Sequence, residues 1–393
     1  MNNREIFQRL IAQTSEAPVG LEVVKAEGLY LFDNKGNKYA DLISGIGVSI
    51  VGHRHPKVIE SIKNQADRYL HTMVYGEHIQ APQTQLAAFL RGILPPSLDN
   101  IYFVNSGTEA VEGALKLARR YTGRTEIISA KSAYHGSTAG SASLMSSTFF
   151  TGKYRPLDPG IKFIEYNDSS ECDKITSKTA AIILECVQGE AGIISGSCAF
   201  FKAIRNKCNE TGTLLILDEI QSGLGRTGHW WAFEGLGIEP DILLTGKGFG
   251  GGLPLAAFIS SKKIMHSFAA KPVLGHITTF GGNALCCASS LATLQVIQEE
   301  ELIAQVVQKT DAIQLIARHT KVSDVRIAGL WAAIELADSE AIMMVIQRLK
   351  EKGVLTDWFL FNDKSLRIAP PLNITMVELN TCMEMLLQIL NSL

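Results

Sequence analysis

The sequence predicts an α/β fold in which one large, mostly parallel sheet carries helices on both faces. Apolar residues make up 46% of the 393-residue chain, glycine occurs 34 times, and short apolar runs recur from residue 100 onward. Helical or looping stretches separate these runs, which is typical of buried strands joined by crossover helices. The seven runs lie at 101–104, 127–130, 161–164, 180–184, 214–217, 242–245 and 256–259.

The first part of the chain has a different pattern of apolar residues. Residues 1–13 place apolar side chains at helical spacing, which predicts a short amphipathic helix. Three short apolar runs between Val23 and Leu42 flank turn residues, so this segment is expected to form a small antiparallel meander. A helical pattern follows Pro56 and runs to about Leu70.

The last part of the chain resembles the first in alternating short strands and helices. A long helix is predicted from Ala284 to Glu301, continuing to Ala317. Short strands are expected around 325–327 and 331–336, followed by another helix and an amphipathic C-terminal segment. We therefore expect two domains: a large domain at 51–289, and a smaller α+β domain built from 1–50 and 290–393.

Composition argues against several classes of protein. The formal net charge of −2 does not favour binding to nucleic acid or to an anionic membrane surface. No run of 18 apolar residues occurs and the N-terminus does not resemble a signal peptide, so a cytoplasmic location is expected. The seven cysteines form no CxxC pair, which favours reduced thiols over disulfides or zinc, and no metal site is predicted.

Two of the apolar runs end in polar residues that suggest chemistry. The run 214–217 is followed by Asp218 and Glu219, and the run 242–245 is followed by Gly246, Lys247 and Gly248. Ligands of open α/β sheets bind at the carboxyl ends of the strands. Asp218 and Lys247 are therefore expected to face one ligand from two strands.

A lysine and a buried carboxylate together suit one cofactor. The amine of a partly desolvated lysine forms a Schiff base with an aldehyde, and an aspartate stabilises a protonated ring nitrogen. Pyridoxal phosphate requires both groups. Taken separately, an acid after a strand is commonly a helix cap, and Gly-Lys-Gly is commonly a turn.

Two nucleotide-binding motifs are alternatives to this interpretation. The segment Gly223–Gly228 fits GxGxxG and follows a predicted strand, as a dinucleotide-binding motif should. It does not open a recognisable helix, and Asp241 precedes its strand rather than ending it, so this alternative is disfavoured. A Walker A motif is excluded because Gly248 follows Lys247 in place of Ser or Thr.

A phosphate cradle is predicted at 105–109. The run 101–104 leads through Asn-Ser-Gly-Thr-Glu into a helical pattern, and a helix N-terminus presents free N–H groups to an anion. The alternative is a plain helix cap in which Ser106 or Thr108 satisfies the first turn and nothing binds.

Three further stretches contain candidate residues. Tyr134 follows the second predicted strand, where an aromatic ring can stack on a cofactor or simply pack. The stretch 185–190 places more acids at a strand end. Arg367 lies in an apolar, proline-containing setting, where a guanidinium requires a carboxylate from either the protein or a substrate.

Together these stretches resemble the class III pyridoxal-phosphate aminotransferases of fold type I, the group of ornithine, acetylornithine and 4-aminobutyrate aminotransferases. The resemblance extends from Gly28 to Pro371. Its motifs occur in the family's order and spacing: NSGTEA, ECVQGEAG, LILDEIQSGLGRTG, TGKGFGGGLP, TTFGGN and RIAPPL.

The resemblance implies roles for the cofactor-binding residues. Lys247 would bind the aldehyde of pyridoxal 5′-phosphate and, when released by substrate, would carry the proton that moves between substrate and cofactor. Asp218 would pair with the pyridine nitrogen. The other implied contacts are Gln221 to the ring hydroxyl, Tyr134 stacked on the ring, and Ser106, Gly107 and Thr108 around the phosphate.

The same resemblance implies a reaction and an assembly. Arg367 would bind the α-carboxylate of glutamate, and Glu190 would neutralise Arg367 when a donor with a terminal amine is present. An amino group would thus pass to 2-oxoglutarate by a ping-pong mechanism. Such enzymes are homodimers with shared sites, so Thr279 would contact the phosphate of the partner subunit.

Two departures from the family pattern leave the amino donor open. Ornithine and acetylornithine enzymes carry an arginine directly after the aromatic-x-Gly triplet, and this chain has Ser137 there. Ornithine enzymes also tend to have a tyrosine before the proline near residue 18, and this chain reads Thr14-Ser15-Glu16-Ala17-Pro18. An isomerase, meaning an aminomutase or racemase, and a binding protein that keeps the fold without catalysis are the alternatives. A requirement for a keto acid separates transferase from isomerase.

Overall fold

A computed structural model describes residues 1–393. The strands are β1 (Val23–Glu27), β2 (Tyr30–Asp33), β3 (Lys38–Asp41), β4 (Asn100–Val104), β5 (Glu126–Ala130), β6 (Ile161–Ile164), β7 (Thr179–Glu185), β8 (Val187–Gln188), β9 (Ile194–Ser195), β10 (Leu214–Asp218), β11 (Ile242–Thr245), β12 (Ala256–Ser260), β13 (Asp324–Ile327), β14 (Ala332–Glu335), β15 (Val354–Leu355), β16 (Trp358–Phe359) and β17 (Asn362–Ile368).

The helices account for most of the rest. They are α1 (Asn3–Leu10), α2 (Ser44–Gly47), α3 (Pro56–Ala66), α4 (Ala81–Ile93), α5 (Gly107–Thr122), α6 (Ala139–Ser143), α7 (Thr148–Thr151), α8 (Cys198–Thr211), α9 (Ala232–Leu236), α10 (Lys262–Met265), α11 (Ala284–Glu299), α12 (Val306–Gln314), α13 (Ser339–Glu351) and α14 (Met376–Asn391). None of the helices combines the length and the apolar character needed to cross a membrane.

The large sheet has seven strands in the order β4-β12-β11-β10-β7-β5-β6. The predicted fold is confirmed, and each of the seven apolar runs forms one of these strands. Only β12 is antiparallel to its neighbours. Every residue of β7, β10 and β11 is buried, because helices cover both faces of a parallel sheet.

The register of the sheet brings acidic residues to one edge. Asp218 at the end of β10 pairs with Glu185 at the end of β7, and β11 lies on the other side of β10. Lys247 follows the end of β11 at the start of a 3₁₀ turn, Lys247–Gly250. The parallel direction of these strands therefore places an amine and two carboxyl groups at the same edge.

Two four-stranded sheets lie outside the large one. The predicted meander is present as β1, β2 and β3, and β15 extends it by pairing in parallel with β3. The second sheet has the order β13-β14-β17-β16. Strand β15 thus joins the start of the chain to its last part, and the domain boundaries at 50 and 290 stay a prediction.

The prediction of one helix continuing to Ala317 is wrong. Helix α11 ends at Glu299, and Glu301 has a left-handed backbone (φ 49°) that no α-helix continues through. The turn allows Leu302, and Val306 at the start of α12, to be buried in the core. The helix after Pro56 also ends earlier than predicted, at Ala66.

Candidate active site

Lys247 lies in a strained and crowded turn. Its φ of 49° is left-handed, a conformation that costs energy in any residue except glycine and that is often found at functional sites. A Cβ on the adjacent Gly248 would lie 3.0 Å from the Cβ of Ile50, which explains the glycine. The Nζ atom donates a hydrogen bond to Oε1 of Gln221 at 2.8 Å.

The amine of Lys247 is unusually easy to deprotonate. Burial lowers its pKa to about 8, against the opposing charge of Glu190, while the charge of Arg367 lowers it further. A substantial share of the amine is therefore neutral near pH 8, and the neutral form is the one that attacks an aldehyde.

Asp218 is buried and held on both carboxylate oxygens. Oδ1 accepts from the backbone N–H of Ile220 at 3.0 Å, and Oδ2 lies 2.7 Å from Nδ1 of His135. Burial alone would lower the pKa of His135, but the hydrogen bond and the charge of Asp218 outweigh it and raise that pKa. The imidazole therefore orients the carboxylate and supports its negative charge.

His135 is a site residue that was not predicted from the sequence. It is the middle residue of the triplet after β5, of which only Tyr134 was noted for its aromatic ring. Its position beyond a strand end was the one available signal. Its pairing with a residue 83 positions away required the tertiary structure.

Glu185 forms a third buried group at this edge. It accepts from the backbone N–H groups of Tyr134 at 3.1 Å and Gly189 at 3.0 Å. Burial raises its pKa to about 7 despite these hydrogen bonds, and the nearby Asp218 contributes. Glu185 thus holds the loops that carry Tyr134 and Glu190 in place.

The N-terminus of α5 borders the same cavity as Lys247. Ser106 is its N-cap and accepts a hydrogen bond from the N–H of Glu109 at 3.3 Å. A Cβ at Gly107 would lie 2.9 Å from Cδ1 of Ile220, so a larger residue here would require the Ile220 side chain to move. The hydroxyl of Thr108 contacts Oγ1 of Thr138 at 2.6 Å.

Most of the predicted cofactor-binding residues line one cavity. They are Gly107, Thr108, Tyr134, Asp218, Gln221 and Lys247, together with His135 and Glu185. Ser106 does not line this cavity, because its hydroxyl caps the helix. Thr279 lies in an exposed loop and reaches nothing in the cavity of its own chain.

Glu190 and Arg367 form a buried ion pair. Nη1 and Nη2 of Arg367 donate to the two carboxylate oxygens of Glu190, both at 3.0 Å, and the side chains are only 7% and 3% exposed. The guanidinium lies 4.5 Å from the centroid of the Phe359 ring. Such a two-fold pairing matches the geometry of a carboxylate and a guanidinium.

The GxGxxG segment serves a structural purpose. It forms a turn instead of opening a helix, as expected from its sequence. Arg226 within it is buried and donates to the carbonyl oxygens of Leu330 and Pro370, both at 2.7 Å. The segment therefore anchors the C-terminal part of the chain close to Arg367.

The cavity has the groups that pyridoxal phosphate requires. Lys247 supplies an amine for the aldehyde, Asp218 a buried carboxylate for the ring nitrogen, and the N-terminus of α5 free N–H groups for the phosphate. Tyr134 supplies an aromatic surface at the same cavity. These donors and acceptors fit the cofactor.

Comparison with known proteins agrees with this chemistry. The family described as "Aminotransferase class-III" matches residues 11–390. The acetylornithine aminotransferase of Methanopyrus kandleri is 39% identical over 346 residues, covering 86% of this chain and 87% of that protein. The [LysW]-aminoadipate semialdehyde/glutamate semialdehyde transaminase of Sulfolobus acidocaldarius is 37% identical over 342 residues and 86% of each chain.

Solved structures with the same fold are also aminotransferases. The solved structure of ornithine aminotransferase from Toxoplasma gondii superposes with a TM-score of 0.91 at 28% identity, covering 99% of this chain and 93% of that one. An aminotransferase from Bacillus anthracis gives a TM-score of 0.92 at 27% identity, covering 99% and 98%. The chain therefore belongs to the class III aminotransferases and is a transaminase that depends on pyridoxal 5′-phosphate.

Proposed function

We propose that this enzyme moves a terminal amino group, from ornithine, acetylornithine or a similar amino acid, to 2-oxoglutarate by a ping-pong mechanism. The buried pair of Arg367 with Glu190 is the observation that carries this proposal. Glu190 directly follows Gly189, where a Cβ would lie 3.1 Å from Oε1 of Gln221. That oxygen accepts the hydrogen bond from Lys247, so the ion pair lies beside the cavity. A guanidinium that is neutralised by a nearby carboxylate can accept two substrates of different charge in turn.

Each residue of the cavity has a task in this proposal. Pyridoxal phosphate, when bound, supplies a ring that accepts electrons from the substrate. Lys247 would bind the aldehyde carbon and, when free, would take up a proton from the substrate on its Nζ atom and return it. Asp218, supported by His135, would keep the ring nitrogen protonated. Gly107 and Thr108 would hold the phosphate.

The remaining contacts orient the ring. Oε1 of Gln221 accepts from Lys247, and its amide N–H would be free to donate to the ring hydroxyl. The backbone N–H of Tyr134 donates to Glu185, which holds the aromatic ring where it would stack on the cofactor. Contacts that are ordered before the substrate binds would reduce the entropy lost at each turnover.

Glu190 and Arg367 accommodate the two halves of the reaction. With a donor that presents a terminal amine, the ion pair stays closed and the site offers no free cation. With glutamate or 2-oxoglutarate, Glu190 must leave and the α-carboxylate takes its place on Nη1 and Nη2. The exchange replaces one bidentate carboxylate by another, so little electrostatic energy is lost.

The relatives and the residues around Tyr134 both support the proposed class of amino donor. Acetylornithine aminotransferase is the name of a relative in Lactiplantibacillus plantarum that is 35% identical over 94% of each chain. Ser137, in place of the arginine usual in that group, forms a 3.1 Å hydrogen bond with the hydroxyl of Tyr134. The far end of the donor therefore meets hydroxyl groups where those enzymes have a cation.

We propose further that the enzyme is a homodimer with shared sites. Exposed apolar side chains on segments 70–80 and 273–280 support this: Leu70, Met73, Ile79, Val273, Leu274, Ile277 and Phe280. The two segments meet where the rings of His71 and Phe280 lie 5.1 Å apart. A patch of this kind favours association, and Thr279 lies within it. Sedimentation equilibrium of the holoenzyme should give the mass of two chains, and a single-chain mass would contradict the proposal.

The two half-reactions test the function directly. We expect one candidate donor, such as ornithine, acetylornithine or 4-aminobutyrate, to bleach the visible band of the bound cofactor without keto acid, and 2-oxoglutarate to restore it. In Arg367→Lys, which keeps the charge but loses the fork, the KM for glutamate should rise by about 100-fold while the donor half-reaction changes little. Stopped-flow spectra of both proteins measure this.

The outcomes separate the alternatives. Turnover of an amino acid without any keto acid would indicate an isomerase. An unchanged glutamate half-reaction in Arg367→Lys and in Arg367→Ala would overturn the role of Arg367.

A further inference from the structure

Arg367 has a second acidic neighbour that the pairing with Glu190 does not require. Nε of Arg367 lies 3.0 Å from Oδ1 of Asp357, whose side chain is 22% exposed. The N–H does not point at this oxygen well enough for a hydrogen bond, and neither atom has another partner. The contact is therefore an ion pair on the edge of the guanidinium that Glu190 leaves uncovered.

The backbone keeps Asp357 in this position. The N–H of Arg367 donates to the carbonyl oxygen of Asp357 at 2.8 Å, and the hydroxyl of Thr356 donates to the carbonyl oxygen of Arg367. Glu190 is attached differently, through N–H groups of Leu360 and Phe361 in the turn before β17. Asp357 thus stays beside Arg367 whether Glu190 is paired or displaced.

The charged groups around Asp357 include more acids than bases that could neutralise them. Arg367 on β17 contributes one positive charge, and Glu190 after β8 contributes one negative charge. Asp41 on β3 is a further acid, paired at 2.9 Å with Nε2 of His53. With Asp357 ionised, two carboxylates share Arg367, and a third is close enough to act on Asp357.

We propose that Asp357 is a specificity-determining residue that sets how strongly Arg367 binds the carboxylate of the keto-acid or glutamate substrate. Its charge repels an incoming carboxylate and competes with it for the guanidinium. The inference rests on the proposed role of Arg367 as the carboxylate site. Asp357 does not touch the reacting atoms and acts through Arg367 alone.

The influence of Asp357 on carboxylate binding by Arg367 should increase as the pH rises. Burial raises the pKa of Asp357 to about 6; the charge of Arg367 opposes this, and those of Glu190 and Asp41 add to it. Asp357 is therefore neutral well below pH 6 and ionised well above it. Arg367 should bind a dicarboxylate less tightly as the pH rises through 6.

Binding of glutarate to the holoenzyme tests this without turnover. Glutarate has two carboxylates and no amino or keto group, so its dissociation constant can be measured by calorimetry at constant ionic strength. The proteins are wild type, Asp357→Asn, Arg367→Lys and Asp363→Asn. Asp363→Asn removes the same charge from an exposed position of the same hairpin. Ratios between proteins at each pH cancel the titration of glutarate itself.

We expect Asp357→Asn to bind glutarate about tenfold more tightly than wild type at pH 7.5, because a charge next to Arg367 has been removed. The ratio should approach one at pH 5, where wild-type Asp357 is already neutral. Asp363→Asn should match wild type throughout. The cofactor band and thermal unfolding of each variant verify that it is folded and loaded.

Three results would overturn the inference. Equal affinity of Asp357→Asn and wild type at every pH would show that the charge of Asp357 has no influence. Weaker binding by Asp357→Asn would show that Asp357 only positions the arginine. A tenfold gain that persists at pH 5 would contradict the titration. If Arg367→Lys binds glutarate as wild type does, the proposed function itself fails, which is a different outcome from loss of the Asp357 effect alone.

Discussion

Replacing Lys247 by alanine should lower kcat by on the order of 10⁴-fold or more, the largest effect expected in this enzyme. The amine is lost both as the group that holds the cofactor aldehyde and as the group that carries the proton. No other lysine lines the cavity to substitute for it. Both half-reactions should slow, and the visible band should shift to that of cofactor without a covalent link to the protein.

The control for this variant is Lys263→Ala, which removes an exposed lysine at the start of α10. It should retain wild-type kcat and the wild-type spectrum. The stability of Lys247→Ala should change little, since alanine at φ 49° is strained as lysine is. Wild-type turnover by Lys247→Ala would overturn the assignment of Lys247.

Replacing Asp218 by asparagine should lower kcat by on the order of 10³-fold. The amide has the same shape but cannot stabilise a positive charge on the ring nitrogen, so the ring loses much of its capacity to accept electrons. The loss should be similar in both half-reactions because the ring nitrogen serves both. This pattern distinguishes Asp218 from Arg367, whose replacement should affect the glutamate half-reaction alone. Rapid-reaction spectra with donor and with glutamate measure the difference.

The pairing with His135 gives a second readout of the same change. Without the carboxylate, the imidazole loses the contact that raises its pKa, and it should be neutral at neutral pH in Asp218→Asn. Nuclear magnetic resonance of the ring nitrogens can record this. Asp311→Asn, at an exposed position of α12, is the control for charge. An Asp218→Asn enzyme with wild-type kcat would exclude a pairing of Asp218 with the ring nitrogen.

The large sheet could be predicted from local pattern. Buried parallel strands are short, nearly continuous apolar runs, and all seven were visible as such. The small strands were harder to find. Strand β17 begins with three polar residues, Asn362 to Lys364, and its buried half, Ser365–Ile368, contains only two apolar residues, so no apolar run marks the strand.

The candidate site was predicted in part. Asp218, Lys247 and the N-terminus of α5 follow strand ends, where sheet geometry makes local sequence informative. His135 and Asp357 were missed. Each acts through a partner on another element, and no local spacing connects His135 with Asp218.

The sequence alone determined the fold class, the cofactor chemistry and the lysine and aspartate expected to carry it, because these depend on strand patterns and on the residues directly after strands. The family resemblance implied that Glu190 would neutralise Arg367, which lies 177 positions away along the chain. Only the tertiary structure decided that the pair is bidentate and buried. Asp357 meets the same guanidinium through the β16–β17 hairpin. Electrostatic energy depends on distance and burial in space, and neither can be read from positions along the chain.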